Sequence, residues 1–153
     1  MRSANQSFID DALFREIIAN IPLVSLDIVP RNKGRVLLGK RRNKPAEGYW
    51  FTLGGRILKG ERLHDAAKRI ASEEIDLTLT VEPRFVGVFE HFYEDAIYEG
   101  VSTHYIDLVY EAEVDDLPTL PMEQHTEYRW FEVARLLDDA NVHPYVKEIF
   151  TRE

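Results

Sequence analysis

Cysteine is absent from the chain, which excludes disulfides and thiolate chemistry and leaves only oxygen or imidazole to hold a metal. No apolar run approaches the roughly 18 residues of a membrane span. No hydrophobic segment follows Met1-Arg2-Ser3-Ala4-Asn5-Gln6 that would serve as a signal peptide. These absences lead to the expectation of a cytoplasmic protein without membrane partners. Positive charge is also scarce: 19 Lys and Arg face 27 Asp and Glu, a net charge of −8 that disfavours broad attraction to nucleic acid. Anionic small molecules remain candidates, because a local cluster of arginines or a bound cation outweighs global charge at close range. Arg41, Arg42, Arg56 and Arg69 are such arginines.

What is present suits a globular fold. A chain of 153 residues, 44% hydrophobic, is long enough to bury a core, and residues 1–153 are expected to form one domain. Ser7 and the amphipathic run through Phe8, Ala12, Leu13 and Ile17 predict a capped helix ending near Asn20. Leu23 to Val29 and Arg35 to Lys40 predict a hairpin with its turn at Arg31-Asn32-Lys33-Gly34. Asp27 lies between Leu26 and Ile28, so alternation turns it to the opposite face, as a solvent-facing acid or as a site residue. Tyr49 to Thr52 predicts a short aromatic strand, for which packing is a better account than stacking on a base.

The chain is organised around Gly54 to Leu77, read as a glycine turn opening onto a helix from Leu63 to Ile75. Leu63, Ala66, Ala67, Ile70 and Ala71 share one apolar stripe, and Glu74 falls in its middle. A carboxylate there must be protonated, paired with a cation or set beside a metal. Asp76 is a plausible left-handed stop. Further strands are predicted at Leu77 to Val81, Arg84 to Tyr93, Thr103 to Val114 and Tyr128 to Phe131, with short helices at Val133 to Leu137 and Pro144 to Phe150. That order suggests an α/β sandwich with a mixed sheet and helices on both faces.

Gly55, Glu61, Arg69, Glu73, Glu74 and Leu77 have the spacing of the Nudix box, which the stretch resembles. Ile70, Ala71 and Asp76 depart from it, and Ile70 replaces a glutamate that serves most of the superfamily as metal ligand or base. Pro22 to Asp27, Leu38 to Arg41, Gly48 to Phe51, Gly54 to Arg56, His91 to Tyr93, Thr103 to Tyr105, Glu123 to His125 and Tyr128 to Trp130 are similar to one subfamily, the GDP-mannose mannosyl hydrolases. Members of that subfamily also lack the acid at the Ile70 position. Leu53, where members have proline, is a mild difference.

The resemblance implies a Nudix-type α/β/α sandwich that hydrolyses GDP-mannose, or GDP-glucose, by water attack at the anomeric carbon with inversion. It implies Mg²⁺, or Mn²⁺ in its place, on the Gly55 carbonyl, Glu74 and Gln124, with Glu73 as a weaker ligand or a partner of Arg69. His125 matches the general base. Arg41, Arg56, Arg69 and Tyr105 match residues contacting the leaving diphosphate, and Asp27 matches a residue placed by the sugar; His91 is a further candidate to reach mannose, with a merely hydrogen-bonded strand histidine as the alternative. A homodimer is expected on the same grounds. Two alternatives stay open: a Nudix pyrophosphohydrolase attacking phosphorus, for which Glu73 argues, and a nucleotide-sugar-binding domain without turnover.

Overall fold

The computed structural model describes residues 9–115 and 125–151, the side chains of His125 and Thr126 excepted. Helix α1 (Asp11–Asn20) precedes strands β1 (Leu23–Asn32), β2 (Arg35–Arg41), β3 (Trp50–Phe51) and β4 (Leu53–Arg56). Helix α2 (Leu63–Ile75) leads to β5 (Arg84–Tyr93), β6 (Thr103–Glu113) and β7 (His125–Glu132), and the chain closes with α3 (Val133–Leu136) and α4 (Pro144–Thr151). Among the described residues the strands form one seven-stranded mixed sheet, in which β3-β2-β1-β6-β5 are neighbours, β4 adds to β1 and β7 adds to β2.

Strand β1 is the axis of this sheet. It runs parallel to β6 from Leu23↔Tyr105 to Arg31↔Glu113 and antiparallel to β4 from Ser25↔Arg56 to Ile28↔Leu53. Both of its faces are covered, which is why it reads as an almost unbroken apolar run. Leu26 and Ile28 pack against Ala66, Ala67 and Ile70 of α2. Val29 joins the larger core on the other side, where Phe89, Val109 and Phe131 meet Val146, Ile149 and Phe150 of α4. Helices therefore cover both faces, as the order of predicted elements required.

Several local expectations need correction. Helix α1 starts at Asp11 and is capped by Asp10, whose carboxylate accepts from the Leu13 amide at 2.9 Å; Ser7 lies outside the described residues. Leu77 to Val81 forms no strand. Its alternation is a packing pattern, with Leu79 against the α2 cluster and Leu77 against Leu37, Leu53 and Ile75, and β-branched composition suits a half-buried surface without demanding a ladder. Leu63 is 43% exposed, so the apolar stripe of α2 begins one turn later, at Ala66. The stop at Asp76 holds: its φ of 51° and ψ of 36° are left-handed, and its amide bonds back to the Ser72 carbonyl.

The double glycine is not a turn either. Gly54 and Gly55 sit inside β4, and the chain reverses later, at Gly60 with φ of +80°. Glycine is required at position 54 because Asp27 lies directly across the ladder: a Cβ there would overlap the Asp27 carboxyl and sit 2.8 Å from the Leu26 carbonyl oxygen. At Gly55 a Cβ would meet only Ile70, at 3.5 Å. Gly54→Ala is therefore expected to destabilise the fold by about 2 kcal/mol or more in chemical denaturation, and Gly55→Ala by clearly less. Equal losses at the two positions would contradict this account of the Asp27–Gly54 contact.

Candidate active site

An open cleft of about 320 Å³ lies over β1, β4 and β6 beside α2. It brings together nine residues singled out from the sequence: Asp27, Arg41, Gly55, Arg56, Arg69, Glu73, Glu74, His91 and Tyr105. Gln124 lies outside the described residues. For His125 the backbone alone is described, and the β2–β7 ladder sets it opposite Arg41, which lines the cleft.

Arg69 is held by more than the expected partner Glu73. Its Nε and Nη2 donate to the two carboxylate oxygens of Glu61 at 2.8 and 3.0 Å, Nη1 donates to Glu73 at 3.1 Å, and Nη2 also donates to the Arg56 carbonyl at 2.8 Å. These bonds use four of the five N–H groups of a guanidinium, leaving one for a ligand. Glu61 in turn accepts from the Leu58 amide at 3.1 Å. Hydrogen bonds from Arg69 hold the Glu61 carboxyl below its usual pKa range, and Glu61 raises that of Arg69. The clamp fixes the loop 57–62 and the backbone of β4, and so the course of Gly55 and Arg56.

Arg56 projects from the end of β4, with its guanidinium 4.3 Å from the centre of the Phe14 ring of α1. Arg41, at the end of β2, donates from Nε to the Pro45 carbonyl at 3.3 Å. Tyr105 lines the same cleft: burial raises its pKa, Arg56 and Arg41 counter that effect, and Asp27 and Asp107 add to it.

The opposite wall is acidic and was only partly visible in the sequence. Asp27 is buried rather than solvent-facing and accepts from the Thr52 hydroxyl at 2.7 Å. Asp107 reaches the same wall from β6 and accepts from the Ser25 hydroxyl at 2.8 Å. Neither Asp107 nor Ser25 was singled out beforehand. The signal was the β6 alternation, which puts Asp107 on the Tyr105 face, but only the parallel β1–β6 pairing brings that face to Asp27. Burial, then the charge of Asp107 and a side-chain hydrogen bond with it, and more weakly the charge of Glu74, raise the Asp27 pKa well above the usual carboxylate range against the opposing bond from Thr52. His91 is buried beside Asp107 with a pKa lowered chiefly by burial, so its ring is neutral near pH 7. Glu74 is 6% exposed on the cleft side of α2. Trp50 and Phe51 belong to the core, whereas Tyr49 is exposed.

Folding brings Asp27 into a wall where its ionised form is disfavoured, which gives stability a definite pH dependence. The penalty is absent below the unfolded-state value, 3.8 for a free Asp, and grows as pH rises towards the raised folded value. Asp27→Asn, which preserves shape and can donate towards Asp107, is expected to raise Tm by about 2–8 °C at pH 7 while giving no gain near pH 3. A thermal-melt series across that range checks it, and a gain that persists unchanged at low pH would refute the account.

The comparisons with known proteins agree with this geometry. A family model described as NUDIX domain matches residues 22–151. The low-salt glycan biosynthesis protein Agl8 of Haloferax volcanii is 44% identical over 141 residues, covering 91% of this chain and 86% of that protein. Among solved structures, the MutT protein of Methanosarcina mazei Go1 superposes with a TM-score of 0.71 at 24% identity, covering 87% of this chain and 94% of that one. The NUDIX domain of Shewanella oneidensis NrtR, in complex with ADP ribose, gives 0.66 at 19% identity, covering 94% and 97%. With the box helix, its clamped arginine and the mixed sheet all in place, the chain belongs to the NUDIX family and is a Nudix hydrolase.

Proposed function

We propose that this Nudix hydrolase cleaves a nucleoside diphosphate sugar, with GDP-mannose as first candidate and GDP-glucose as second, by attack of water at the anomeric carbon. The observation that carries the reading is the side chain at position 70. Ile70 is fully buried against Leu26 and Ile28, so the place where the Nudix pattern has an acid is here a closed apolar contact. The remaining box acids have other tasks. Glu61 and Glu73 are engaged by Arg69, which weakens the case that Glu73 serves attack at phosphorus.

In the proposed reaction a water oxygen bonds to the anomeric carbon from the side opposite the diphosphate. The carbon–oxygen bond breaks, its electron pair leaves with GDP, and the water proton passes to a base. Arg41 and Arg56, with the one free N–H of Arg69, would take the charge that develops on the leaving diphosphate. Tyr105 would add a hydroxyl donor at the same end. Asp27 and His91 would face the sugar. His125, whose imidazole titrates near neutrality when unperturbed, would serve as the base. Its support is the resemblance of Glu123 to His125 and the position of its backbone opposite Arg41.

The donors fit a hard divalent ion, because Gly55 and Glu74 both line the cleft and offer oxygen ligands, and the chain has no cysteine thiolate to offer. Glu74, the Gly55 carbonyl and Gln124 would hold Mg²⁺, with Mn²⁺ a substitute. When bound, the ion supplies electrostatic stabilisation of the diphosphate. No group of three or more His, Cys, Asp or Glu able to hold a metal occurs among the described residues, so the proposed ion would depend on Gln124, phosphate oxygens and water to complete its shell. The glycan-biosynthesis name of the Haloferax relative supports a sugar-nucleotide substrate class. The same reading favours a homodimer and a cytoplasmic location; no helix of the described residues is long and apolar enough to cross a membrane.

Incubation with GDP-mannose and Mg²⁺ in oxygen-18 water is expected to place the label in mannose. Label in phosphate would replace the proposal with a pyrophosphohydrolase, and binding without turnover would replace it with a nucleotide-sugar-binding role. His125→Ala is expected to lower kcat by about 100-fold or more while the Kd of GDP stays within about twofold. Almost unchanged turnover would remove His125 from the mechanism.

A further inference from the structure

We propose that Asp107 is a specificity-determining residue: its Oδ2, paired across the cleft wall with Nε2 of His91, takes one hydroxyl of the sugar. The inference rests on the nucleotide-sugar reading above. Its starting point is two buried polar atoms in the wall of the cleft, Asp107 Oδ2 and His91 Nε2, for which no donor or acceptor of ordinary charge state is in place among the described residues; a protonated Asp27 bonds to Asp107 and still leaves that carboxylate lone pairs for a further donor. Asp107 is 1% and His91 4% exposed. Buried polar atoms left without partners are costly, and where they line a cleft a ligand or an ordered water is the natural occupant.

The spacing selects what fits. The two atoms are 3.9 Å apart, beyond a direct hydrogen bond. One oxygen can lie about 2.8 Å from each of them. His91 is neutral near pH 7, so one ring nitrogen donates and the other accepts. With the Tyr93 hydroxyl 3.4 Å from Nδ1, that hydroxyl can donate to the ring, leaving Nε2–H as a donor towards the cleft. Asp107 Oδ2 is an acceptor. A single oxygen that both accepts from His91 and donates to Asp107 belongs to a hydroxyl of a ligand or, in its absence, to a water. A phosphate oxygen cannot donate to the carboxylate, and an ammonium cannot accept from the imidazole.

The wall is also built to hold these atoms still. Asp107 Oδ1 is occupied by the Ser25 hydroxyl at 2.8 Å, which turns Oδ2 the other way. The His91 ring stacks on Tyr145 with centroids 4.4 Å apart and planes 5° from parallel, and it meets Phe51 and Tyr93 edge-on. Strand pairing of His91 with Tyr105, two residues from Asp107, fixes their relative height. Charge decides which end of the substrate comes here. The charge of Asp107 repels a diphosphate, while Arg41, Arg56 and Arg69 attract it, so the neutral polyol is the end left for the acidic wall.

The test compares wild type with Asp107→Asn, which keeps the volume and an acceptor for Ser25 while removing the charge. Turnover is measured on GDP-mannose and on its monodeoxy-hexose analogues, and GDP affinity is measured in parallel. Wild type is expected to lose about 30-fold or more in kcat/KM on one analogue. Asp107→Asn should lose a similar factor on GDP-mannose, treat that analogue and the parent alike within about threefold, and bind GDP as wild type does. His91→Gln, which retains a donor, should weaken discrimination against the same analogue and covers the case of an unfolded Asp107 variant. If wild type turns over every analogue like the parent, or if Asp107→Asn or His91→Gln keeps the wild-type discrimination, the pair holds a structural water and the assignment to Asp107 is overturned. A wild type that neither hydrolyses GDP-mannose nor binds it more tightly than GDP overturns the nucleotide-sugar reading, and this inference with it.

Discussion

The guanidinium of Arg69 is the constraint on which the site depends. Four hydrogen bonds join one side chain of α2 to Glu61 in the preceding loop, to Glu73 one turn on, and to the carbonyl of Arg56 in β4. The planar fork of arginine makes this geometry possible, and a lysine would reach one partner at a time. Because the bonds cross from helix to loop to strand, the helix cannot slide against β4 without breaking several together. Gly55, Arg56 and Glu74 therefore hold their relative positions. In the same chain segment Ile70 is tied into the apolar contact with Leu26 and Ile28, so one face of the helix anchors and the other is left for chemistry.

The cleft separates charge across a few strands. Its cations come from strand ends and from α2, on Arg41, Arg56 and Arg69; its acids come from the adjacent parallel strands β1 and β6, on Asp27 and Asp107. Packing two carboxyls into one buried wall is unfavourable, and the fold accommodates it with a hydroxyl for each, Thr52 for Asp27 and Ser25 for Asp107. Gly54 completes the arrangement by letting β4 pass over Asp27 without a side chain. A fold optimised for stability alone would place amides or apolar groups at these positions, so the acids point to a demand made by a ligand.

Local signals were legible wherever neighbouring residues decide the outcome. The boundaries of α2 and its left-handed stop at Asp76 follow from periodicity and from the tolerance of aspartate for that conformation. The hairpins β1–β2 and β5–β6 follow from turn residues and alternation. Errors arose where a distant partner decides instead. Gly54-Gly55 resembles a turn until β1 is placed beside it, and Leu77 to Val81 resembles a strand until it is seen to have no ladder. The depth of Asp27 was undecidable from alternation, since a residue opposite an apolar face is solvated only if nothing covers that side.

The sequence by itself determined the family, the helix that carries the box, the acid at Glu74 set among apolar neighbours, and the loss of an acid at Ile70. These depend on identity and spacing along one segment. Only the tertiary contacts show that Asp107 and Ser25 join Asp27, that Arg69 is committed to a clamp, and that His91 and Asp107 face each other with unmet hydrogen-bonding capacity. Residues 80 positions apart meet because β1 and β6 run parallel in the centre of the sheet, and no local pattern encodes which strands will be neighbours.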